Sequence, residues 1–315
     1  MQMKIIKLLI TIILFFVTVA FPVFGQVAKC IVIDALNHKP VPYATVYSSK
    51  SGMGIHADEE GYFEWHTGIS SDSIVVSSVG YKHQKIMIKS LKEDIVNSIE
   101  INQDLVELSE VIVRPGSKSL ERIVGFFYNE PDKNRGMGPG GISENQIFVN
   151  YYPNTEQMEG YIKKLMFDIK GFDLSQKSSR ARIRILSYNK SSGLPDRDLL
   201  RESIVVKITK FSPNILLNIE KYKIVFPTDG VFIGLEFICH NEFIYKKKSL
   251  SRQKTDCPRI TTTKAENYRE EGKSYYWTYH ANRWIWACIS DGSIFPGQSW
   301  HGRVFKFGAV ISSFQ

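Results

Sequence analysis

Residues 73–88 read SIVVSSVGYKHQKIMI, and this stretch indicates the fold class of the whole chain. Two short runs rich in β-branched side chains, Ser73–Ser78 and Lys85–Ile88, lie on either side of Gly80, a pattern typical of two strands joined by a turn. Similar runs recur along the rest of the chain between Gly, Pro, Asn and Asp residues. Many short strands without alternating helices favour stacked antiparallel sheets. We therefore expect an all-β protein.

The chain divides into two expected domains. Its 315 residues suggest two folded units at roughly 100–200 residues each. The polar, turn-rich segment 114–118 (RPGSK) predicts a linker, so we place the domains at 27–113 and 119–315. The second domain begins with Ser119–Phe127, whose apolar residues recur at helical spacing and predict one short helix.

Residues 1–25 have the pattern of a secretory signal peptide. Lys4 and Lys7 precede the uncharged run Leu8–Phe24, and Gly25 stands where a small residue precedes the cleavage point. An uncleaved anchor is the alternative, because the uncharged stretch is about long enough to span a bilayer. We expect export to the periplasm, the outer membrane or the cell surface, with membrane contact only if the leader remains.

Composition excludes several classes of protein. The chain has 40 Lys and Arg against 32 Asp and Glu, a net charge of +8, and 12% aromatic residues, which is not the composition of a disordered protein. No recognisable nucleic-acid-binding module accompanies the charge, so we expect no such partner. The cysteines allow three disulfide pairings, or stay as buried thiols, and match no zinc-ribbon spacing: Cys30, Cys239, Cys257 and Cys288.

Five segments of the first domain occur in an order that is specific to one family. They are Ile31–Asp34, Lys39–Val46, Ala57–Phe63, Ile74–Tyr81 and Leu108–Val113. Through them residues 27–113 resemble the carboxypeptidase regulatory-like domain, a transthyretin-like β-sandwich common in exported proteins of the Bacteroidetes. The resemblance implies a domain without a cofactor. It implies no peptidase activity, because in true carboxypeptidases the zinc site belongs to a separate catalytic domain.

Two short motifs in this domain are candidates for chemistry. His56 and Glu59 have the H-x-x-E spacing of zinc ligands, but no third ligand is identifiable, so we expect no metal. They stand instead at the entry to a tight turn in which Gly61 is expected to take a positive φ. Ser73 lies in Asp-Ser-Ile, which resembles an O-glycosylation site of exported Bacteroidetes proteins, although an ordinary strand residue is the alternative.

The second domain contains several segments that occur in a familiar order. They are residues 159–165, 181–188, 193–200, 218–222 and 229–236. Through these segments residues 119–315 look similar to a β-rich domain often appended to the first module in the same bacteria. The resemblance implies no settled function. We expect a jelly-roll-like sandwich.

The strand predicted at Val231–Phe243 carries the first group of candidate site residues. Period-two alternation sends one face to the core and places Glu236, His240 and Glu242 on the other. Two carboxylates and an imidazole on one face could contribute to a cation or sugar site. Solvent-facing residues without a role are the commoner outcome.

An aromatic hairpin near the C-terminus carries the second group. If residues 281–282 form a two-residue turn, Trp277 pairs with Trp286 and Tyr279 with Trp284, all on one face. An exposed row of such rings would stack against pyranose rings. Burial in the core is the alternative, which the large apolar area of aromatic side chains favours.

No catalytic motif is complete. Gly136–Gly141 matches G-x-G-x-x-G by letter without the strand and helix that a dinucleotide site needs, and Gly297–Gly302 lacks the second glycine of a nucleophile elbow. We therefore expect a non-enzymatic envelope protein that binds an envelope protein or a glycan, without cofactor, metal or catalytic residue. The alternative is an envelope hydrolase with its site around Glu236, His240 and Glu242.

Overall fold

The structure is a computed structural model, and it describes most of the chain from residue 27 onward. The described residues are 27–67, 72–104, 119–126, 136–137, 147–170, 178–209, 214–238, 243–244, 259–264, 273–280, 283–290 and 302–314. The expected leader and the expected linker at 114–118 lie outside these ranges. Within them no helix is long and apolar enough to cross a membrane.

The first unit is a sandwich of two small sheets. One sheet has the order β4-β1-β7, with β1 antiparallel to β4 and parallel to β7, and the other has the order β6-β5-β2-β3. The strands are β1 Val27–Asp34, β2 Thr45–Ser48, β3 Met53–His56, β4 Tyr62–His66, β5 Ser73–Ser77, β6 Gln84–Met87 and β7 Val96–Ile101. A 3₁₀ turn, Ile88–Ser90, follows β6.

The core of this unit consists of side chains at alternate positions along its strands. In β1 the side chains of Ala28, Cys30 and Val32 point inward, and they pack against Phe63 and Trp65 of β4. Inward residues of β2, β5 and β7 complete the core. The strand predicted at Ser73–Ser78 is confirmed as β5, and the one predicted at Lys85–Ile88 corresponds to β6 up to Met87.

The turn before β4 has the backbone expected from its sequence. Gly61 has φ +79°, and a Cβ built there would lie 2.8 Å from the carbonyl oxygen of Val32. A side chain would therefore strain the backbone and crowd β1. The predicted positive φ at Gly61 is confirmed.

The second unit is a larger two-sheet sandwich. Its described strands are β8 Ser119–Gly125, β9 Gly136–Met137, β10 Ile147–Tyr152, β11 Gly160–Lys170, β12 Ser178–Tyr188, β13 Pro195–Asp198, β14 Val205–Thr209, β15 Asn214–Asn218, β16 Val231–Ile238, β18 Arg259–Lys264, β19 Ser274–His280, β20 Arg283–Cys288, β21 Arg303–Phe305 and β22 Phe307–Phe314. The strand β17 Phe243–Ile244 lies in the same part of the chain but outside this sandwich. A 3₁₀ turn at Glu220–Tyr222 precedes β16.

The strand order shows how the chain builds this sandwich. One sheet runs β13-β12-β16-β10-β19-β20, with β14 beside β12, and the other runs β21-β18-β11-β22-β8, with β15 beside β11 and β9 beside β18. The chain passes repeatedly from one sheet to the other. The core between the sheets includes the inward faces of β11, β12, β16 and β22. The all-β prediction is confirmed.

The predicted helix at Ser119–Phe127 is wrong. Residues 119–125 form β8, which pairs antiparallel with β22 at the edge of its sheet. Leu120 and Ile123, which suggested an apolar helical face, are 39% and 61% exposed. The helical spacing was short, and pairing with a strand from the far end of the chain outweighed this local preference.

One strand of the second unit's chain joins the first unit. Phe243–Ile244 (β17) pairs antiparallel with Met53–Gly54 at the edge of β3. The first sandwich therefore has a sheet that is extended by a distant part of the chain, and the two units are in contact.

Candidate functional site

The outer face of the β12-β16-β10 sheet is covered, although sequence alternation predicted a solvent-facing side for β16. All eight residues of Val231–Ile238 are buried. The prediction is wrong for this strand because the first unit and a cluster of aromatic side chains pack on that face. Glu236, a candidate site residue, is 0% exposed at this contact.

Glu236 lies at the centre of a buried ionic cluster. Its Oε1 accepts a hydrogen bond from Thr45 Oγ1 at 2.6 Å and lies 3.1 Å from His56 Nε2. Its Oε2 accepts hydrogen bonds from Arg182 Nη1 at 2.9 Å and Arg184 Nη1 at 2.8 Å. Burial alone would raise the pKa of Glu236, but the two arginines and His56 hold it well below its ordinary value. The carboxylate therefore stays charged.

The two arginines extend this cluster in opposite directions. Arg184 donates from Nε and Nη2 to both oxygens of Asp198, at 3.0 and 2.9 Å. Arg182 donates to Ser203 Oγ at 2.9 Å and to the backbone oxygen of Tyr43 in the first unit. Every charge in the cluster thus meets an opposite charge or a hydrogen-bond partner, which buried ions need.

The two members of the H-x-x-E motif both contact the second unit. His56 faces Glu236, while Glu59 forms an ion pair with Arg180, whose guanidinium lies 5.6 Å from the ring centroid of Tyr43. No group of three or more His, Cys, Asp or Glu side chains within the described ranges is placed to hold a metal ion. The motif therefore connects the sandwiches.

A tight backbone contact fixes the same interface. Val79 packs into the core cluster of the second unit. Gly80 follows with φ +84°, and a Cβ built on it would overlap the carbonyl group of Arg201. Tyr81 then turns back and donates from its hydroxyl to Asp34 at 2.9 Å, over the edge of the first sandwich.

A cleft of about 400 Å³ opens beside the ionic cluster, between the two units. Thr45, Ile147, Arg184 and Glu236 are among the residues that line it. Its volume lies within the range of small-molecule sites, about 300–1,000 Å³, and domain interfaces are a common place for such sites.

Aromatic side chains form one wall of this cleft. They are Tyr47 of β2, Trp277 of β19 and Trp286 of β20. The Tyr47 and Trp277 rings meet edge to face, with centroids 4.9 Å apart. Burial raises the pKa of Tyr47 to about 12, so its phenol stays protonated.

The predicted register of the aromatic hairpin is confirmed. Trp277 is opposite Trp286, and Tyr279 is opposite Trp284. Trp277 and Trp286 are half-buried and pack on the outer face of the sheet, so they belong neither to the core between the sheets nor to an exposed row. Sequence reasoning could not predict this because the first unit supplies the other side of the cleft.

Polar side chains form a second wall of the cleft. Lys82, Asp104, Asp196 and Arg197 line the cleft and form no side-chain hydrogen bond or ion pair with another described residue. His83 lies beside them and is partly exposed. Desolvation and the nearby Arg184 hold the pKa of His83 below its ordinary value, against the opposite effect of Asp198 and Asp104. Its imidazole is therefore mainly neutral at pH 7.

The remaining sequence candidates lie elsewhere. Ser73 is buried, and its hydroxyl lies 2.6 Å from Ser49 Oγ. Cys30 is a free thiol in the first core. His240, Glu242, Cys239 and Cys257 lie outside the described residues.

Sequence reasoning did not identify the arginines of the cluster. In β12, Arg182 and Arg184 alternate with the core residues Ala181, Ile183 and Ile185. Such alternation is typical of a strand with one solvent face. The only sequence signal was the opposite charge of Glu236 on another strand, and nothing local indicates that β12 and β16 are neighbours.

Comparison with known proteins gave few matches. No curated protein matches the chain. Among solved structures it is similar to BcpA, the major pilin subunit of Bacillus cereus, with 9% identity over 84% of this chain and 66% of the pilin chain and a TM-score of 0.18. A variant of that subunit gives 10% identity over 84% of this chain and 67% of its own, also with a TM-score of 0.18. The chain thus spans slightly less than two thirds of the first pilin chain.

A family match covers the first sandwich. Residues 31–113 match the family model described as the CarboxypepD_reg-like domain. The match agrees with the two-sheet architecture of this unit and with the resemblance found in its sequence. It does not extend to residues 119–315. The N-terminal sandwich of this chain is therefore similar to the CarboxypepD_reg-like domain over residues 31–113.

Proposed function

We propose that the chain is an exported, non-catalytic binding protein that holds its ligand in the cleft between the two sandwiches. One observation carries the proposal: an aromatic wall and a wall of polar side chains that have no described partner of their own line the same cleft. A cleft with apolar walls and a few polar groups available to a ligand is the usual form of a small-molecule site. The leader-like segment at 1–25 supports export.

The buried cluster favours binding over catalysis. A general acid needs a pKa near the working pH, whereas Arg182 and Arg184 hold the pKa of Glu236 well below its ordinary value. Both oxygens of the Glu236 carboxylate also have close neighbours, so neither is available as a nucleophile. A hydrolase centred on Glu236, His240 and Glu242 is therefore the less favoured alternative.

The cluster also explains why the ligand site lies between the units. It fixes the first unit on the β12-β16 face, and this contact brings Tyr47 to within 4.9 Å of Trp277. Each unit contributes side chains to both walls, so neither unit alone has the complete cleft. Binding therefore requires both sandwiches in one chain.

The test is a ligand screen with the mature chain. Glycan arrays and envelope extracts are expected to yield a ligand whose affinity, measured by calorimetry, falls at least about tenfold in Trp277→Ala and Trp286→Ala. Tyr62→Ala is the control, because Tyr62 is 45% exposed on the first sandwich and does not line the cleft. Failure to find any ligand, or a ligand that is indifferent to both tryptophans, would exclude this site. Turnover of an envelope substrate would support the hydrolase.

A further inference from the structure

The charges of the cleft and of the ionic cluster beside it balance when both are counted together. In the cluster, Arg184 and the buried Arg182, which does not itself line the cleft, offset Glu236 and Asp198 through hydrogen-bonded contacts. In the polar wall, Lys82 and Arg197 offset Asp104 and Asp196, and His83 is mainly neutral at pH 7. A ligand with a net charge would lose its hydration in the cleft and would find no excess of opposite charge there to compensate, so its binding would be unfavourable.

The polar wall is complementary to one kind of functional group on a ligand. Lys82 and Arg197 only donate hydrogen bonds, and the carboxylates of Asp104 and Asp196 only accept them. A hydroxyl both donates and accepts, so a compound with many hydroxyls satisfies both pairs at once. A carboxylate or phosphate would satisfy the first pair and repel the second.

The aromatic wall adds a requirement for an apolar face. Trp277 and Trp286 are half-buried, directly opposite each other on neighbouring strands. Rings in this position favour a flat ligand that can be desolvated on one side. A sugar ring combines such a C–H face with hydroxyl groups around its rim.

From these three features together we infer that the ligand of the cleft is a neutral glycan. One of its sugar rings lies against Trp277 and Trp286, and the hydroxyls of its other sugar units lie toward Asp104, Asp196, Lys82 and Arg197, because β13 and β19 are separated by three strands. This inference rests on the proposed function, because it assigns the ligand class of the same cleft. Asp196 and Arg197 then act as specificity residues, since they contact the ligand without contributing to the domain interface.

Calorimetry with two panels of oligosaccharides tests the ligand class. The neutral panel contains cello-, malto- and xylo-oligosaccharides, and the acidic panel contains galacturonides and sulfated fragments. We expect binding in the neutral panel only. Since no ion pair forms with the ligand, the affinity should change less than about twofold when salt is raised from about 0.05 to 0.5 M.

Variants then locate the contact. Asp196→Asn is expected to weaken neutral-glycan binding about tenfold, the typical cost of losing a hydrogen bond to a charged group. Glu64→Gln is the matched control, because Glu64 is exposed on β4, away from the cleft. An unchanged affinity in Asp196→Asn would overturn the inference.

The outcomes separate this inference from the proposed function. An acidic glycan or a peptide that binds and loses affinity in Trp277→Ala would overturn the neutral-glycan class and leave the cleft as the site. No binding from either panel or from peptides would overturn both.

Discussion

His56 Nε2 of the first sandwich lies 3.1 Å from Glu236 Oε1 of the second, although 180 residues separate them in the chain. Both side chains are almost fully buried, at 0% and 1% exposure. Buried ionic contacts gain little net stability over apolar packing, but they are costly to break because one charge is left unpaired. The contact therefore selects one relative placement of the two sandwiches.

Glu236→Gln tests this role. Removing the carboxylate leaves Arg182 and Arg184 without their shared counter-ion, so the free energy of unfolding should fall by about 3–5 kcal/mol. Urea denaturation measures the loss. Glu121→Gln is the matched control, because Glu121 also binds a cation, Lys163 at 2.7 Å, but is largely exposed and should give no measurable change. Equal effects in the two variants would contradict a special role of the buried cluster.

Gly80→Ala tests the backbone contact between the units. Its Cβ would overlap the carbonyl of Arg201 and would also require φ +84°, so we expect a loss of about 1–3 kcal/mol or more in unfolding free energy. Gly193→Ala shares the positive φ, +70°, but its Cβ would lie in ordinary contact, 3.5 Å from Tyr188 Oη. The difference between the two thermal midpoints isolates the interface contact. If both variants melt at the same temperature, Gly80 has no role beyond its backbone angle.

Asp34 should make the stability of the first sandwich depend on acid pH. The hydrogen bond from Gln103, with help from Leu36 and Tyr81 and against the opposing effect of burial, lowers the pKa of Asp34 to about 2. Because the folded pKa lies below the unfolded one, near 3.8, the stabilisation is complete above the unfolded value and is lost as pH falls toward the folded value. Asp34→Asn should therefore be less stable than the wild type at pH 6, and the gap should narrow between about pH 4 and 2.

Chemical denaturation across this pH range measures that gap. Asp94→Asn serves as the control, since Asp94 is exposed and makes no described side-chain contact. Its stability curve should run parallel to that of the wild type. A constant gap for Asp34→Asn at all pH values would show that its carboxyl does not titrate differently in the folded protein.

Cys30 should be unreactive in the folded chain. Burial raises the pKa of its thiol to about 12, so little thiolate is present at pH 8, and the core excludes reagents. Iodoacetamide followed by peptide mass spectrometry should leave Cys30 unmodified in the native protein and alkylated in urea. Native alkylation, or recovery of Cys30 in a disulfide, would contradict the buried-thiol assignment.

The parts of the site that depend on local pattern were predictable from the sequence. The pairing of Trp277 with Trp286 was predicted from alternation on two neighbouring strands, and the positive φ of Gly61 from its position in a tight turn. Both features depend on residues within a few positions of one another. The register of a hairpin and the backbone of a turn are decided at that range.

The helix predicted at Ser119–Phe127 shows the limit of local pattern. Its apolar spacing was real, yet β8 pairs with β22 near the other end of the chain. Hydrogen bonds to a distant strand satisfy the backbone of β8, and no local periodicity encodes that partner.

The sequence by itself determined that this chain is all β, that its first sandwich has the regulatory-like pattern of segments, and which side chains share a strand face. Tertiary structure alone decided that Arg182, Arg184 and Glu236 are buried, because alternation separates two faces of a strand without stating what covers each. The first sandwich places Thr45 and His56 on that outer face, where both contact Glu236. The same contact makes the tryptophans one wall of a cleft. Burial is a property of both surfaces in a contact, and a strand's own sequence describes one of them.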